Sequence, residues 1–324
     1  MGPSTFRLCH RLGGRRVVLA ALVIVMTIVL VGHRVAIGND LQPQGPVATF
    51  EVGDHPDLTF LRKYGKVKPA GVISGLPTEE ELQNMTKKEL TYIYHSHLDN
   101  VDYQCHRKLR LGSAADGGWG VCDDYEFGLI WPCVVYSFGI ANDFSFDDDV
   151  AKLYRCNVFS FDPTMRSKEH MRSTKVRFLK VGLGGAGGAL SSDINKHDLL
   201  ANGGSLKSLT DIKRMLGHTN TTIDVMKIDI ESSEWSALPD MLIKGELTHV
   251  RQLLMEFHTQ DATKATLRER LLVLAKLEAL GFRRFHTHTN EWCKKLRGEY
   301  PVMRTGCYEV LFVNTGFKRQ KEVT

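Results

Sequence analysis

Beyond residue 132 the chain alternates short apolar runs with amphipathic stretches of helical period. The runs are Cys133–Phe138, Asn157–Phe161, Val176–Val181, Ile223–Ile230, Val250–Phe257, Phe282–His286 and Cys307–Val313. Their length and their β-branched and aromatic content suit buried strands. Between them, Asp147–Tyr154, Leu206–Leu216 and Thr263–Leu280 read as helices, the last closed by Gly281, suited to the left-handed turn after a helix. Seven short strands with helices between the early ones predict an α/β fold with a mostly parallel, doubly wound sheet covered on both faces. Such a sheet receives its ligand beyond the carboxyl ends of its strands, where the strand order reverses.

Upstream the pattern changes. From Thr78 to Val101 the spacing of Leu82, Met85, Leu90 and Ile93 predicts helix, opened by a capping box of Thr78 and Glu81. Gly112–Asp124 (GSAADGGWGVCDD) is too rich in glycine for a regular element. The expected organisation is a basic segment at 1–16, a signal anchor or signal peptide at 17–34 and a stem at 35–77. A helical and glycine-rich cap at 78–132 and the α/β domain at 133–317 complete it.

Val17–Val31 (VVLAALVIVMTIVLV) is interrupted only by Thr27, follows Arg7, Arg11, Arg15 and Arg16, and precedes Arg34. That asymmetry keeps the N-terminus in the cytosol and sends the rest into the secretory pathway. The product is a type II single-pass membrane protein, or a secreted one if cleavage follows Ala36-Ile37-Gly38. The net charge of +5 is partly spent on those arginines, and no basic stripe interleaved with aromatics marks a nucleic-acid partner. Of seven cysteines, six (Cys105, Cys122, Cys133, Cys156, Cys293, Cys307) fall in the translocated part. Fifteen pairings are open; the shortest loops favour Cys105 with Cys122 and Cys293 with Cys307. No CxxC or paired Cys/His spacing points to a metal. Asn84 and Asn220 open glycosylation sequons.

Candidate chemistry gathers at strand ends. Ser137-Phe138-Gly139-Ile140-Ala141-Asn142-Asp143 is a tight turn in which Gly139 lets backbone approach a ligand and Asn142 tolerates a left-handed conformation. Asp162 ends the next strand, where an acid can accept ribose hydroxyls. Asp229, Glu231 and Glu234-Trp235 follow the fourth strand, and His258 follows Glu256 at the fifth. VVYSFGIANDFSF, VFSFDP and IDVMKIDIESSEW, in this order, resemble the FkbM-like branch of class I methyltransferases. With Asp143-Phe144-Ser145 and Cys105…Gly117-Gly118-Trp119…Cys122, the resemblance is closer still to the methyltransferase-like protein 24 family. The resemblance runs from about Cys105 to Phe317.

What the resemblance implies is a seven-stranded, Rossmann-like fold that binds S-adenosylmethionine (S-adenosyl-L-methionine). Gly139 would lie at the methionine end, with Asn142 partly replacing a second glycine, and Asp162 at the ribose. Gly182 and Leu183 would border the adenine and Asp229 the sulfonium. The sequence departs from the family's glycine loop: Ser137 stands where an acid is usual, and only Gly139 of its glycines remains.

The expected activity is methyl transfer to an oxygen or nitrogen of a lumenal or extracellular small molecule, glycan or protein, with Asp229, Glu231 or His258 as base if the acceptor is a hydroxyl. The alternatives are an inactive binding protein on the same fold and a type II membrane glycosyltransferase. Two further motifs are read as structural. Gly182–Gly187 fits GxGxxG, but the polar stretch after it reads as a loop. Asp147-Asp148-Asp149 sits at a helix start, where acids meet the helix dipole.

Overall fold

The computed structural model describes residues 75–185, 203–259, 262–296 and 303–320. The expected anchor, most of the stem and the polar stretch after Gly185 lie outside them. Among the described residues no helix is long and apolar enough to cross a membrane.

Two helices open the described chain, α1 (Glu79–Asn84) and α2 (Lys87–Asp99). The capping box of Thr78 and Glu81 is present, and a second one, Thr86 with Glu89, divides the expected single helix at Met85, whose backbone is extended. An antiparallel ribbon follows, β1 (Lys108–Leu111) with β2 (Trp119–Cys122). Part of the glycine-rich stretch is therefore regular. The Cys105–Cys122 disulfide and the buried Gln252 hold it: Gln252 accepts from Cys122 N (2.8 Å) and donates to Cys122 O (2.9 Å). A Cβ on Gly118 would lie 1.8 Å from Ser113 O, so here glycine permits the close turn.

The remaining elements are β3 (Val134–Phe138), α3 (Ser145–Tyr154), β4 (Asn157–Phe161), β5 (His170–Met171), β6 (Val176–Leu179), β7 (Val181–Leu183), β8 (Ser205–Lys207), α4 (Leu209–Leu216), β9 (Ile223–Ile228), α5 (Glu234–Ile243), β10 (Val250–His258), α6 (Lys264–Ala279), β11 (Phe282–Thr289), β12 (Lys295–Leu296), β13 (Arg304–Thr305) and β14 (Cys307–Asn314). The main sheet has the order β11-β14-β10-β9-β3-β4-β6-β5. β10, β9, β3, β4 and β6 run parallel, while β14 is antiparallel to β10 and β11.

The sheet thus has eight strands rather than the expected seven, because β5 adds an antiparallel edge to β6. Its covering is also less even than a doubly wound sheet requires. Tyr136, Met226, Met255 and Phe312 pack under residues of α1, α2, α4, α5 and α6. Val135, Val225, Leu254 and Leu311 on the opposite face pack under α3 and the β1–β2 ribbon. Each fully buried Leu or Phe in these layers contributes roughly 1.5–3 kcal/mol. The expected third strand breaks at Lys180 into β6 and β7, and the expected helix at Leu206 yields its first turn to β8 before Ser208 caps α4.

The cysteines pair as Cys105–Cys122, Cys133–Cys156 and Cys293–Cys307. Sheet register explains the second pair: Val134 lies beside Asn157, so the residues preceding β3 and β4 meet, with Cα atoms 4.7 Å apart.

Candidate active site

β3 neighbours β4 on one side and β9 on the other, so the strand order reverses there and leaves a crevice beyond the carboxyl ends. A cavity of about 300 Å³ occupies it. Gly139 and Ala141 from the end of β3, Asp162 and Thr164 from β4, Gly182 and Leu183 from β7, Leu206 from β8, and Asp229 and Glu231 from β9 line its walls. Six of the sequence-picked residues, Gly139, Asp162, Gly182, Leu183, Asp229 and Glu231, therefore share one cavity. Asn142 and His258 are not in its wall.

The turn after β3 is tightly specified. Gly139 has φ of 71°, and a Cβ there would lie 1.6 Å from Asp229 O. Glycine is thus demanded by the backbone of β9's end as much as by any ligand. Ala141 (φ 44°) and Asn142 (φ 69°) are both left-handed, Asn142 as its side chain allows and Ala141 under strain. Asn142 turns outward and is exposed, leaving Ala141 to face the cavity. The buried Asp162 holds this turn. Its Oδ2 accepts from Ala141 N (2.9 Å), and its Oδ1 accepts from Thr164 N (2.8 Å) and Oγ1 (2.7 Å). With about four lone-pair sites on a carboxylate, Oδ2 keeps room for another donor.

Ser137 replaces the acid usual on the strand, and a carboxylate reaches it from α3 instead. Asp147, 1% exposed, accepts from Ser160 Oγ (2.6 Å) and Ser137 Oγ (3.5 Å). Burial pushes it up to about 6 against those hydrogen bonds. Beside this group the buried Lys227 donates to Gly139 O (3.1 Å), pinning the turn from below. Asp148 pairs with Arg172 at 2.8 Å and Asp149 accepts from Gly112 N at 2.8 Å. All three acids of the Asp triplet have structural partners, which removes the feature that suggested a glycosyltransferase metal site.

The opposite wall carries a second strained turn. Glu231 (φ 51°) and Ser232 (φ 72°) are consecutive left-handed residues. His258 braces them: its Nε2 lies 3.2 Å from Glu231 Oε2 and its Nδ1 3.1 Å from Glu234 Oε1. Burial alone would lower this imidazole, but the two carboxylates raise it to about 11. Ser232 N also donates to His258 Nδ1 (3.2 Å), so the buried ring braces this turn from outside the cavity wall rather than lining it. Trp235 donates Nε1–H to His258 O (2.8 Å) and packs on Phe257, a core role.

Behind Asp229 a row of carboxylates crosses the strands. Glu256 and Asp229 bring carboxylate oxygens within 4.8 Å of each other, and burial, then that neighbour, push Glu256 well above the usual glutamate range. Glu309 lies opposite Glu256 on β14, and Asn290 Nδ2 donates to Glu256 Oε1 at 2.9 Å. Asp229, Glu256 and His258 bring possible ligand atoms within 4.8 Å of one another, with Glu231 already on His258 Nε2 and Glu234 and Ser232 N on its Nδ1. Two other cysteine-containing groupings involve disulfide sulfurs, which are not thiolates.

The cavity suits a cationic nucleoside. The Asp229 carboxylate offers a counter-charge, Asp162 Oδ2 an acceptor for a hydroxyl, and Leu183, Leu206 and Pro163 an apolar wall for a base. The family model described as a methyltransferase domain matches residues 74–304, well over half of the chain. The chain belongs to this methyltransferase family. It is 25% identical over 244 residues to "Probable methyltransferase-like protein 24" of Rattus norvegicus, covering 69% of this chain and 64% of that protein. With the Homo sapiens protein of the same name it shares 25% identity over 213 residues, 62% and 56% of the two lengths. The chain thus spans less than two thirds of the length of either relative. Within the methyltransferase domain, the sequence reading gave no site role to Ala141, Thr164, Leu206, Asp147, Lys227 or Glu234. Ala141, Asp147, Leu206 and Glu234 appeared in it only as members of a turn, an acid triplet, a helix and the Glu234-Trp235 pair; Thr164 and Lys227 were given no role of their own.

Proposed function

We propose that this methyltransferase binds S-adenosylmethionine in the cavity at the β3 switch point and transfers its methyl group to an oxygen or nitrogen acceptor. The observation that carries this reading is the meeting of Gly139, Asp162 and Asp229 in one cavity within a methyltransferase domain. When bound, the cofactor supplies an electrophilic methyl carbon on a sulfonium. The chain's own residues hold and orient. Asp162 sets the Gly139–Asn142 turn, His258 fixes the Glu231 wall, and Asp229 presents charge to the cavity. Holding donor and acceptor in line supplies much of the rate. For a hydroxyl acceptor, Asp229, with Glu256 behind it, is the group that would take the proton.

Titration calorimetry of the full chain with S-adenosylmethionine tests this. Saturable one-to-one binding is expected, weakened at least about tenfold in Asp229→Asn by loss of a charge-assisted contact. Leu206→Trp should abolish it by filling the cavity. No heat, or wild-type affinity in both variants, would overturn the proposal. The first of those outcomes would favour a binding protein on the same fold, a reading supported by Ser137 in place of the acid and by the bonds that already occupy Asp162.

The same reading puts the domain in the secretory lumen, anchored through the apolar segment near the N-terminus or released from it. Three disulfides support an oxidising compartment. The exposed Asn84 and Asn220 would carry glycans. A mobility shift on endoglycosidase treatment, lost in Asn84→Gln/Asn220→Gln, is the expected result.

A further inference from the structure

A second cavity, of about 270 Å³, opens at the same edge of the sheet, around the ends of β11 and β14. Glu309 and Asn290, both buried, belong to its wall, and Asp116, Glu291 and Trp292 contribute to the rest. It lies one side chain away from the cofactor cavity. A Glu256 carboxylate oxygen lies within 4.8 Å of one from Asp229 of the first cavity, and Glu256 accepts from Asn290 of the second, with Glu309 as its cross-strand neighbour.

This wall is built rather than incidental. Asn290 O accepts from Thr305 Oγ1 (3.1 Å) and Asn290 Oδ1 from Trp292 N (3.0 Å), and the Cys293–Cys307 disulfide staples the segment to β14. Its charge is acidic: Asp116, Glu291 and Glu309 face one arginine and one histidine. That arginine, Arg110, donates Nε–H to Ser113 O (3.0 Å) and Nη2–H to Ala115 O (2.6 Å), so its guanidinium is committed to holding the β1–β2 turn. His288 stands 3.5 Å from Glu309. Trp292, 81% exposed, offers an indole beside these carboxylates. An aromatic face with adjacent carboxylates recognises an organic cation, because the ring quadrupole and the anions attract the same charge.

We propose that this second cavity is the methyl-acceptor site and that the acceptor is an amine. The inference rests on the methyltransferase reading above and narrows it from oxygen or nitrogen to nitrogen. Glu309 pairs with the incoming ammonium and takes one proton from it. The freed nitrogen lone pair then forms the N–C bond as the methyl carbon–sulfur bond breaks, that bond's electrons staying on sulfur. The positive charge lost by the sulfonium reappears on the methylated nitrogen.

The test uses the full chain and three probes of similar size: benzylamine, benzyl alcohol and methyl α-D-glucopyranoside. Binding is read from NMR shifts of the Trp292 indole N–H, assigned with Trp292→Phe. Benzylamine should give a saturable shift that neither neutral probe matches. Glu309→Gln, and separately Asp116→Asn on the exposed turn, should each weaken benzylamine while leaving S-adenosylmethionine affinity unchanged. Preferential binding of the glucoside or the alcohol would overturn the amine assignment, as would benzylamine binding indifferent to both substitutions. S-adenosylmethionine binding without benzylamine binding would overturn this inference alone. Benzylamine binding without S-adenosylmethionine binding would overturn the methyltransferase reading and the acceptor role with it.

Discussion

Two turns made of strained residues face each other across the cavity, and each is held by one buried side chain. Asp162 holds Ala141 and His258 holds Glu231. Removing the imidazolium leaves the fully buried Glu234 without its counter-charge, so His258→Ala should cost about 3–5 kcal/mol in urea denaturation. Glu231→Gln changes an exposed carboxylate and should cost less than about 1 kcal/mol. Gly139→Ala should prevent stable folding, since the added Cβ overlaps Asp229 O. At this scale the sequence made the ligand-edge residues legible, because glycine and acids at strand ends have few other uses. It concealed Asp147 and Lys227, whose role depends on side chains meeting across helix and sheet. The bracing role of His258 was not legible, because its partners, Glu231 and Glu234, are 27 and 24 residues distant and nothing local shows that both reach it.

Among the elements, the parallel strands were the easiest to read, since burial on both faces makes them continuous apolar runs. Boundaries failed where tertiary contacts override local preference. Trp119–Cys122 becomes a strand because Gln252 and a disulfide hold it against the sheet, not through any propensity of a glycine-rich stretch. The break between α1 and α2 was legible as a second Thr-x-x-Glu box at Thr86. Thr86→Ala should therefore lower stability by about 1 kcal/mol in thermal or urea unfolding. The Cys133–Cys156 pair links the starts of two adjacent strands around α3, and Cys133→Ser/Cys156→Ser should cost about 3 kcal/mol. Loop length alone does not single out that pair; strand register does.

For the molecule as a whole, the carboxyl edge of the sheet stores protons. His258 is raised to about 11, and Glu256 is raised by burial and by Asp229 to about 9, so above pH 6.5 these two groups bind more protons in the native state than in the unfolded chain. The sign follows: the His258 contribution is complete below about pH 6.5 and is lost as pH climbs toward 11. The urea midpoint should fall between pH 7 and pH 9, and Glu256→Gln should flatten that fall. The buried His95 works the other way below this range: burial lowers it to about 4, so stability gained from its neutrality appears between about pH 4 and 6.5. An edge rich in carboxylates beside a half-apolar cavity suits a positively charged cofactor, and that is the centre of the account. Hydrogen–deuterium exchange of the full chain with and without S-adenosylmethionine tests it most directly. Protection should appear together at Gly139–Asn142, Asp162–Thr164 and Asp229–Ser232. Protection confined to other segments, or none at saturating cofactor, would contradict it.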